Sequence, residues 1–319
     1  MKLAPVILFC YNRPLHTLEC LKALSLNELA DQTELFVFCD GPKADVSDEQ
    51  MANITEVRRV VRSKAWCSKV TVIESESNKG LADSVIAGVT EIVNRFGNVI
   101  VLEDDLVTSR FFLQYMNAAL NKYKDAENVM VVSGHQFPVK EWNTDYDAFF
   151  LPFSTSWGWG TWNRAWKLFD PHAVGNERLA KEDELRYRFD LNGAYPYSLM
   201  LEKQMRHGSQ VDSWAVRWWW SVFVHNGLAL FPVKSMVFNI GFDASATHTK
   251  VMQFETPEFD VNNRVNSLPD SISVDVENLQ RLSEYIAGQK SSAAIKHPKL
   301  VARPSVFRRI LNLVFRFDN

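Results

Sequence analysis

Asn98-Val-Ile-Val-Leu-Glu-Asp-Asp105 begins as an apolar, β-branched run and ends in three consecutive acids. A short run of that kind reads as a parallel strand buried on both faces. Three carboxylates at its carboxyl end repel one another and call for a cation or polar ligand. Strand alternation would send Glu103 and Asp105 to one side and Asp104 to the other. Open α/β sheets carry their ligand crevice at the carboxyl ends of the strands, so the triplet is expected to line a site. A few protein carboxylates plus substrate phosphates is a common way to hold a hard divalent metal.

Outward from this run, strand and helix patterns alternate. Residues 6–10, 35–39, 70–73, 99–102 and 129–133 read as strands. Helical patterns lie between them: from Pro14, over 49–62, over 81–95 and over 109–123. This repetition predicts a doubly wound α/β sheet over residues 1–135. After about residue 140 the pattern changes. Residues 148–170 are aromatic and Gly-rich, 177–207 charged and helical, 212–220 Trp-rich, and 228–232 strand-like. Residues 136–250 therefore read as a second half, and 250–275 as polar loop. The stretch 251–319 is expected to be a C-terminal extension ending in a basic amphipathic helix over 296–319. Such a helix suits an anionic membrane surface, and equally suits packing on the domain.

The 319 residues are 46% hydrophobic and 23% charged, with a net charge of −3. That is ordinary for a soluble globular chain and gives no basic field for nucleic acid. No apolar stretch is long enough to span a bilayer. The four cysteines, at 10, 20, 39 and 67, lack metal-type spacing and read as buried free thiols. They fit a reducing compartment. The run from Leu3 to Cys10 reads as a first strand rather than a signal peptide.

Other candidates follow strand ends in the same way. Tyr11-Asn12-Arg13 follows the first strand, where Arg13 suits a phosphate or a base. Asp40-Gly41 follows the second, where the carboxylate can accept from a base or ribose. Asn78, Lys79 and Asp83 follow the third. Helix capping and ordinary turns account for these residues equally well when each is taken alone. Ser156-Trp-Gly-Trp-Gly160 is too Gly-rich for a strand interior, so Trp157 and Trp159, with Trp214, are expected to form an acceptor or sugar wall. Asp212, beside that tryptophan run, suits a general base with a raised pKa, or a helix N-cap. His248, after a Gly-containing turn, can complete a metal site or contact a diphosphate.

Phe9-Cys-Tyr-Asn-Arg-Pro14, the Asp40-Gly41 turn, Val101-Leu-Glu-Asp-Asp105 followed by Phe111-Phe112, and the Trp-rich second half together resemble the nucleotide-sugar glycosyltransferases of the GT-A fold. The likeness is to bacterial family-2-like sugar transferases and to N-acetylglucosaminyltransferase I. It runs over about residues 5–250. It implies a GT-A type mixed sheet and a UDP-sugar, held with Arg13 and Asp40 at the uridine. It further implies Mn²⁺ or Mg²⁺ on Asp105, with Glu103 and Asp104 on ribose and sugar, and Asp212 as the base of an inverting transfer of a hexosyl or N-acetylhexosaminyl group. One departure is that the family carries two adjacent acids before Trp, where this chain has Asp212-Ser213-Trp214. The acceptor implied is a saccharide or lipid-linked saccharide of surface polysaccharide synthesis. With the unpaired cysteines, the first-strand reading of the N-terminus and the basic tail, the resemblance points to a cytoplasmic setting, with the tail either peripheral on the inner face of the membrane or packed on the domain. A nucleotidyltransferase and a non-catalytic sugar-binding protein are the rival readings. A dehydrogenase fits less well, because no Gly-x-Gly-x-x-Gly follows the first strand.

Overall fold

The computed structural model describes residues 3–207, 213–241 and 259–293. Its first part is a run of strand–helix units: β1 (Val6–Cys10), α1 (Pro14–Ser25), β2 (Glu34–Cys39), α2 (Asp48–Val61), β3 (Lys69–Glu74), α3 (Leu81–Phe96) and β4 (Asn98–Glu103). Local chemistry sets the helix boundaries. Pro14 occupies the first turn of α1, Ser47 and Gln50 close a capping box on α2, and Gly97, at φ 89°, ends α3 in the left-handed region. A hairpin-like ribbon strand, β5 (Leu106–Thr108), then leads to α4 (Phe112–Lys122) and β6 (Val129–Ser133).

The second part is β7 (Ala148–Leu151), β8 (Trp159–Trp162), α5 (Asn163–Trp166), α6 (Asp183–Phe189), α7 (Tyr197–His207), α8 (Trp214–Val224), β9 (Leu228–Pro232), β10 (Val237–Asn239) and α9 (Val276–Ala293). The charged stretch read as helical is thus two separate helices, α6 and α7. Eight strands form one sheet in the order β3-β2-β1-β4-β8-β6-β9-β7. Strands β1 to β4 are parallel, β8 enters antiparallel between β4 and β6, and β7 runs antiparallel to β9 at the edge. The doubly wound mixed α/β sheet expected from the sequence is present.

The position of β8 corrects the sequence reading. The Gly-rich segment runs into a central strand, and at Gly160 there is no room for a side chain. A Cβ on Gly160 would meet Met116 Cε at 2.9 Å and the Val99 carbonyl at 3.1 Å. Glycine lets α4 and β4 close over the strand.

Alternation along the strands builds two cores. Ile7, Phe9, Val99 and Val101 face α3 and α8, while Val6, Leu8, Ile100 and Leu102 face α1, α2 and α4. The first core is dominated by tryptophans. Trp159 stacks on Trp214 with centroids 5.2 Å apart and also touches Trp166 and Trp218. Burying one such ring removes roughly 200 Å² from water, an upper figure of about 5 kcal/mol. The four cysteines are buried and free, as expected, with Cys10 and Cys39 as cross-strand neighbours.

Residues 259–293 pack back on the sheet domain. Arg110 N donates to the Val261 carbonyl, Tyr123 Oη to the Pro269 carbonyl, and Leu282 and Ile286 of α9 are buried. The basic segment 296–319 lies outside the described residues. No helix among the described residues is long and apolar enough to cross a membrane.

Candidate nucleotide-sugar site

Because β1 to β4 are parallel, their carboxyl ends share one edge of the sheet. Tyr11–Arg13 links β1 to α1 there, Asp40 follows β2, Asn78 and Lys79 follow β3, and Glu103–Asp105 ends β4. The sequence-predicted residues of the first half therefore gather on one edge.

Glu103 is the last strand residue, opposite Phe9 of β1. Asp104 and Asp105 lie in the turn to β5, where strand alternation no longer holds. The two carboxylates therefore converge instead of diverging. Arg13 Nη1 donates to Asp105 Oδ2 at 2.9 Å and lies 3.8 Å from Asp104 Oδ1. One guanidinium thus faces three acids. Burial, then the charges of Asp105 and Asp104, push Glu103 up to about 8. Burial, then the charge of Asp105, push Asp104 up to about 7, against Arg13 and a hydrogen bond from the Tyr11 backbone.

Arg13 is itself incompletely satisfied. Its Nε and Nη2 are buried without a hydrogen-bond partner among the described residues. A guanidinium does not shed its proton, and buried polar groups are normally hydrogen-bonded.

A structural element that sequence reasoning missed closes the site. Strand β10 pairs antiparallel with β5 and carries residues 239–241 over the triplet. Ile240 N donates to the Asp105 carbonyl at 2.9 Å. A Cβ on Gly241 would overlap Asp105 Oδ2 and lie 2.8 Å from Arg13 Nη2. Only glycine fits there without displacing the pair.

Asp40 has a different geometry from the one read in the sequence. Its Oδ1 accepts from Gly41 N and Lys79 N, and its Oδ2 from Asn78 Nδ2 and Gly80 N. Its acceptor positions are thus taken by the protein's own donors, which tie the end of β2 to the start of α3. Asn78 also donates to the Gly41 carbonyl. Tyr11 is half-buried near Asp40; burial raises its pKa most, and the Asp40 and Asp45 charges add to that. Lys79 and Asp83 are exposed at the edge.

The acceptor wall is corrected by the fold. Trp159 and Trp214 are buried in the aromatic core and cannot present a face to a sugar. Only Trp157, half-buried just before β8, lies at the site edge. Beside it is a residue not picked out from the sequence. His135 follows β6, and its ring meets Trp157 edge-on at 4.6 Å and Phe137 at 4.9 Å. Burial pushes its imidazole down to about 3. The available signal was its position, two residues past an apolar strand, the same kind of place that singled out Arg13. Asp212, read as the base, and His248, read as a metal ligand, lie outside the described residues.

The triplet supplies only oxygen ligands, the chemistry that suits Mg²⁺ or Mn²⁺. With all three acids ionised, a divalent cation would balance the two charges that Arg13 leaves over. Among the described residues no group of three or more side chains is arranged to hold a metal by itself. The oxygen donors of the triplet fit a metal of this kind held jointly with a bound substrate and water.

No protein-family model matches the chain, and no curated protein sequence does. Among solved structures, the chain is similar to S. aureus TarS 1–349 at 16% identity and a TM-score of 0.36, over 53% of this chain and 48% of that one. It thus spans about half the length of that protein fragment. A mannosyltransferase from Pyrobaculum calidifontis in complex with GDP-Man and Mn²⁺ matches at 14% identity and a TM-score of 0.38, over 70% of this chain and 73% of that one. Mouse xyloside xylosyltransferase 1 matches at 13% identity and a TM-score of 0.34, over 70% and 81%. At such identities and scores the likeness carries no assignment of function, which has to rest on the site itself.

Proposed function

We propose that this chain is a metal-dependent glycosyltransferase of the GT-A type that transfers a hexosyl or N-acetylhexosaminyl group from a UDP-sugar. The observation that carries this reading is the Arg13–Asp105 pair: one guanidinium with two orphan buried N–H groups, set among three acids at the carboxyl edge of a parallel sheet. That arrangement is short of one divalent cation and one anion at the same spot. A nucleoside diphosphate bound with Mg²⁺ or Mn²⁺ supplies both.

On this reading Asp105 is the principal metal ligand. Arg13 now donates to Asp105 Oδ2; with a cation bound, Asp105 would hold the metal and Arg13 would be left to face a phosphate oxygen. Bound metal would neutralise charge on the departing diphosphate. Glu103 and Asp104 face ribose and sugar hydroxyls. The loop held by Asp40, with Tyr11, Asn78, Lys79 and Asp83 on or beside it, frames the uridine end. Asp212 is assigned the proton abstraction from the acceptor hydroxyl of an inverting transfer, from the sequence resemblance. His248, which has no counterpart in the resemblance, is assigned to the diphosphate or metal from the chemistry of its imidazole alone. Residues 296–319 would hold the enzyme at an anionic membrane carrying a saccharide or lipid-linked acceptor.

The nucleotidyltransferase reading is weaker, because the β1–α1 connection is only Tyr11-Asn12-Arg13 and offers no Gly-rich phosphate loop. The test is UDP release from a panel of UDP-sugars with Mn²⁺, with and without saccharide acceptors. Wild type should release UDP with at least one sugar donor, and Asp105→Ala should lose at least 100-fold. Tight binding of a UDP-sugar with no turnover across the panel would favour a binding protein, and equal turnover by Asp105→Ala would remove the metal assignment.

A further inference from the structure

We infer that His135 binds a hydroxyl of the sugar carried by the nucleotide donor, and so helps select which sugar is transferred. The inference rests on the nucleotide-sugar reading above and extends it to the part of the sheet beyond β4. The sheet order is β1, β4, β8, β6, so the end of β6 lies two strands past the triplet. Strands are spaced about 4.8 Å apart, which puts that end about 10 Å across the sheet from Glu103. A nucleotide sugar is linear: base, ribose, diphosphate, sugar. With the base end over β1 to β3 and the diphosphate at the triplet, the sugar extends toward β8 and β6.

His135 is built for such a contact. It is only 6% exposed, and neither ring nitrogen has a hydrogen-bond partner among the described residues. Neither nitrogen is sealed off as an unpartnered buried atom, so a ligand hydroxyl or water can still reach the ring. Its backbone is fixed in advance. His135 N donates to Ser133 Oγ at 3.1 Å, and Ser133 Oγ donates to the His135 carbonyl at 3.0 Å. The next residue is pinned too, with Gln136 Nε2 donating to the Pro232 carbonyl. Trp157 and Phe137 hold the ring from two sides. Burial keeps the imidazole neutral, so one nitrogen donates and the other accepts, which matches a sugar hydroxyl rather than a phosphate.

The test is calorimetric binding of UDP, UDP-glucose, UDP-galactose and UDP-N-acetylglucosamine with Mn²⁺ to wild type, His135→Phe and His135→Asn. Phe keeps the ring contacts and removes both nitrogens; Asn keeps one donor and one acceptor. The expected result is UDP affinity within twofold of wild type in both variants. The preferred UDP-sugar should bind about tenfold more weakly to His135→Phe, with part of the loss recovered in His135→Asn. Equal weakening of UDP and UDP-sugar would overturn the inference. So would unchanged UDP-sugar affinity in His135→Phe, which would mean that the ring carries a water. A wild-type protein that binds no UDP at all would instead overturn the nucleotide reading, and this inference with it. Thermal melts confirm the fold of each variant, and His135→Leu, which also removes both nitrogens, is read in the same way should the Phe variant not fold.

Discussion

Arg13 and Asp105 carry the account, and one glycine decides whether they meet. A methyl group on Gly241 would overlap Asp105 Oδ2. Gly241→Ala should therefore weaken UDP binding with Mn²⁺ at least tenfold while moving the thermal midpoint by only a few degrees, since the collision is with two side chains at the site. A large drop in the midpoint with UDP affinity intact would contradict this. The acids and Arg13 were legible in the sequence, because each follows an apolar strand. Gly241 was not, because its constraint comes from residues more than a hundred positions away. The tryptophans were misread for a related reason. Sequence shows that Trp159 and Trp214 are aromatic, and only the packing shows that they stack on each other, leaving no face for a sugar.

At the level of elements, the site edge depends on loops being tied together. Asp40 accepts four hydrogen bonds that join the end of β2 to the start of α3. Asp40→Ala leaves the backbone donors of Gly41, Lys79 and Gly80 without this acceptor, mostly in part-buried positions, and should cost about 1–3 kcal/mol of stability. Urea unfolding should show this as a lower midpoint with an unchanged slope. A variant as stable as wild type but unable to bind UDP would instead return Asp40 to direct nucleotide contact. The parallel strands were readable, since strands buried on both faces are continuous apolar runs. Strand β8 was not, since glycine is a poor strand former and is required here by crowding from Met116 and Val99. The β5–β10 ribbon was also hidden, because three-residue strands leave no periodic pattern.

Across the whole molecule, the buried acids couple stability to pH. Glu103 and Asp104 titrate at about 8 and about 7 in the fold. Free side chains do so at about 4.3 and 3.9. The folded state therefore binds more protons than the unfolded state between these limits, and their contribution to stability falls as pH rises toward 8. Metal-free protein should melt lower at pH 8 than at pH 6, and Glu103→Gln should flatten that slope. Added Mg²⁺ or Mn²⁺ should stabilise more at pH 8, where the carboxylates are ionised and free to bind it. An equal slope in Glu103→Gln would show that other groups set the pH dependence. The central claim is that the edge formed by Arg13 and the acid triplet binds a nucleoside diphosphate through a divalent cation. Calorimetry of UDP binding with Mn²⁺, and with the metal chelated, tests it most directly. The account predicts tight binding that needs the metal and is lost in Asp105→Ala. Binding of equal strength without metal, or in Asp105→Ala, would contradict it.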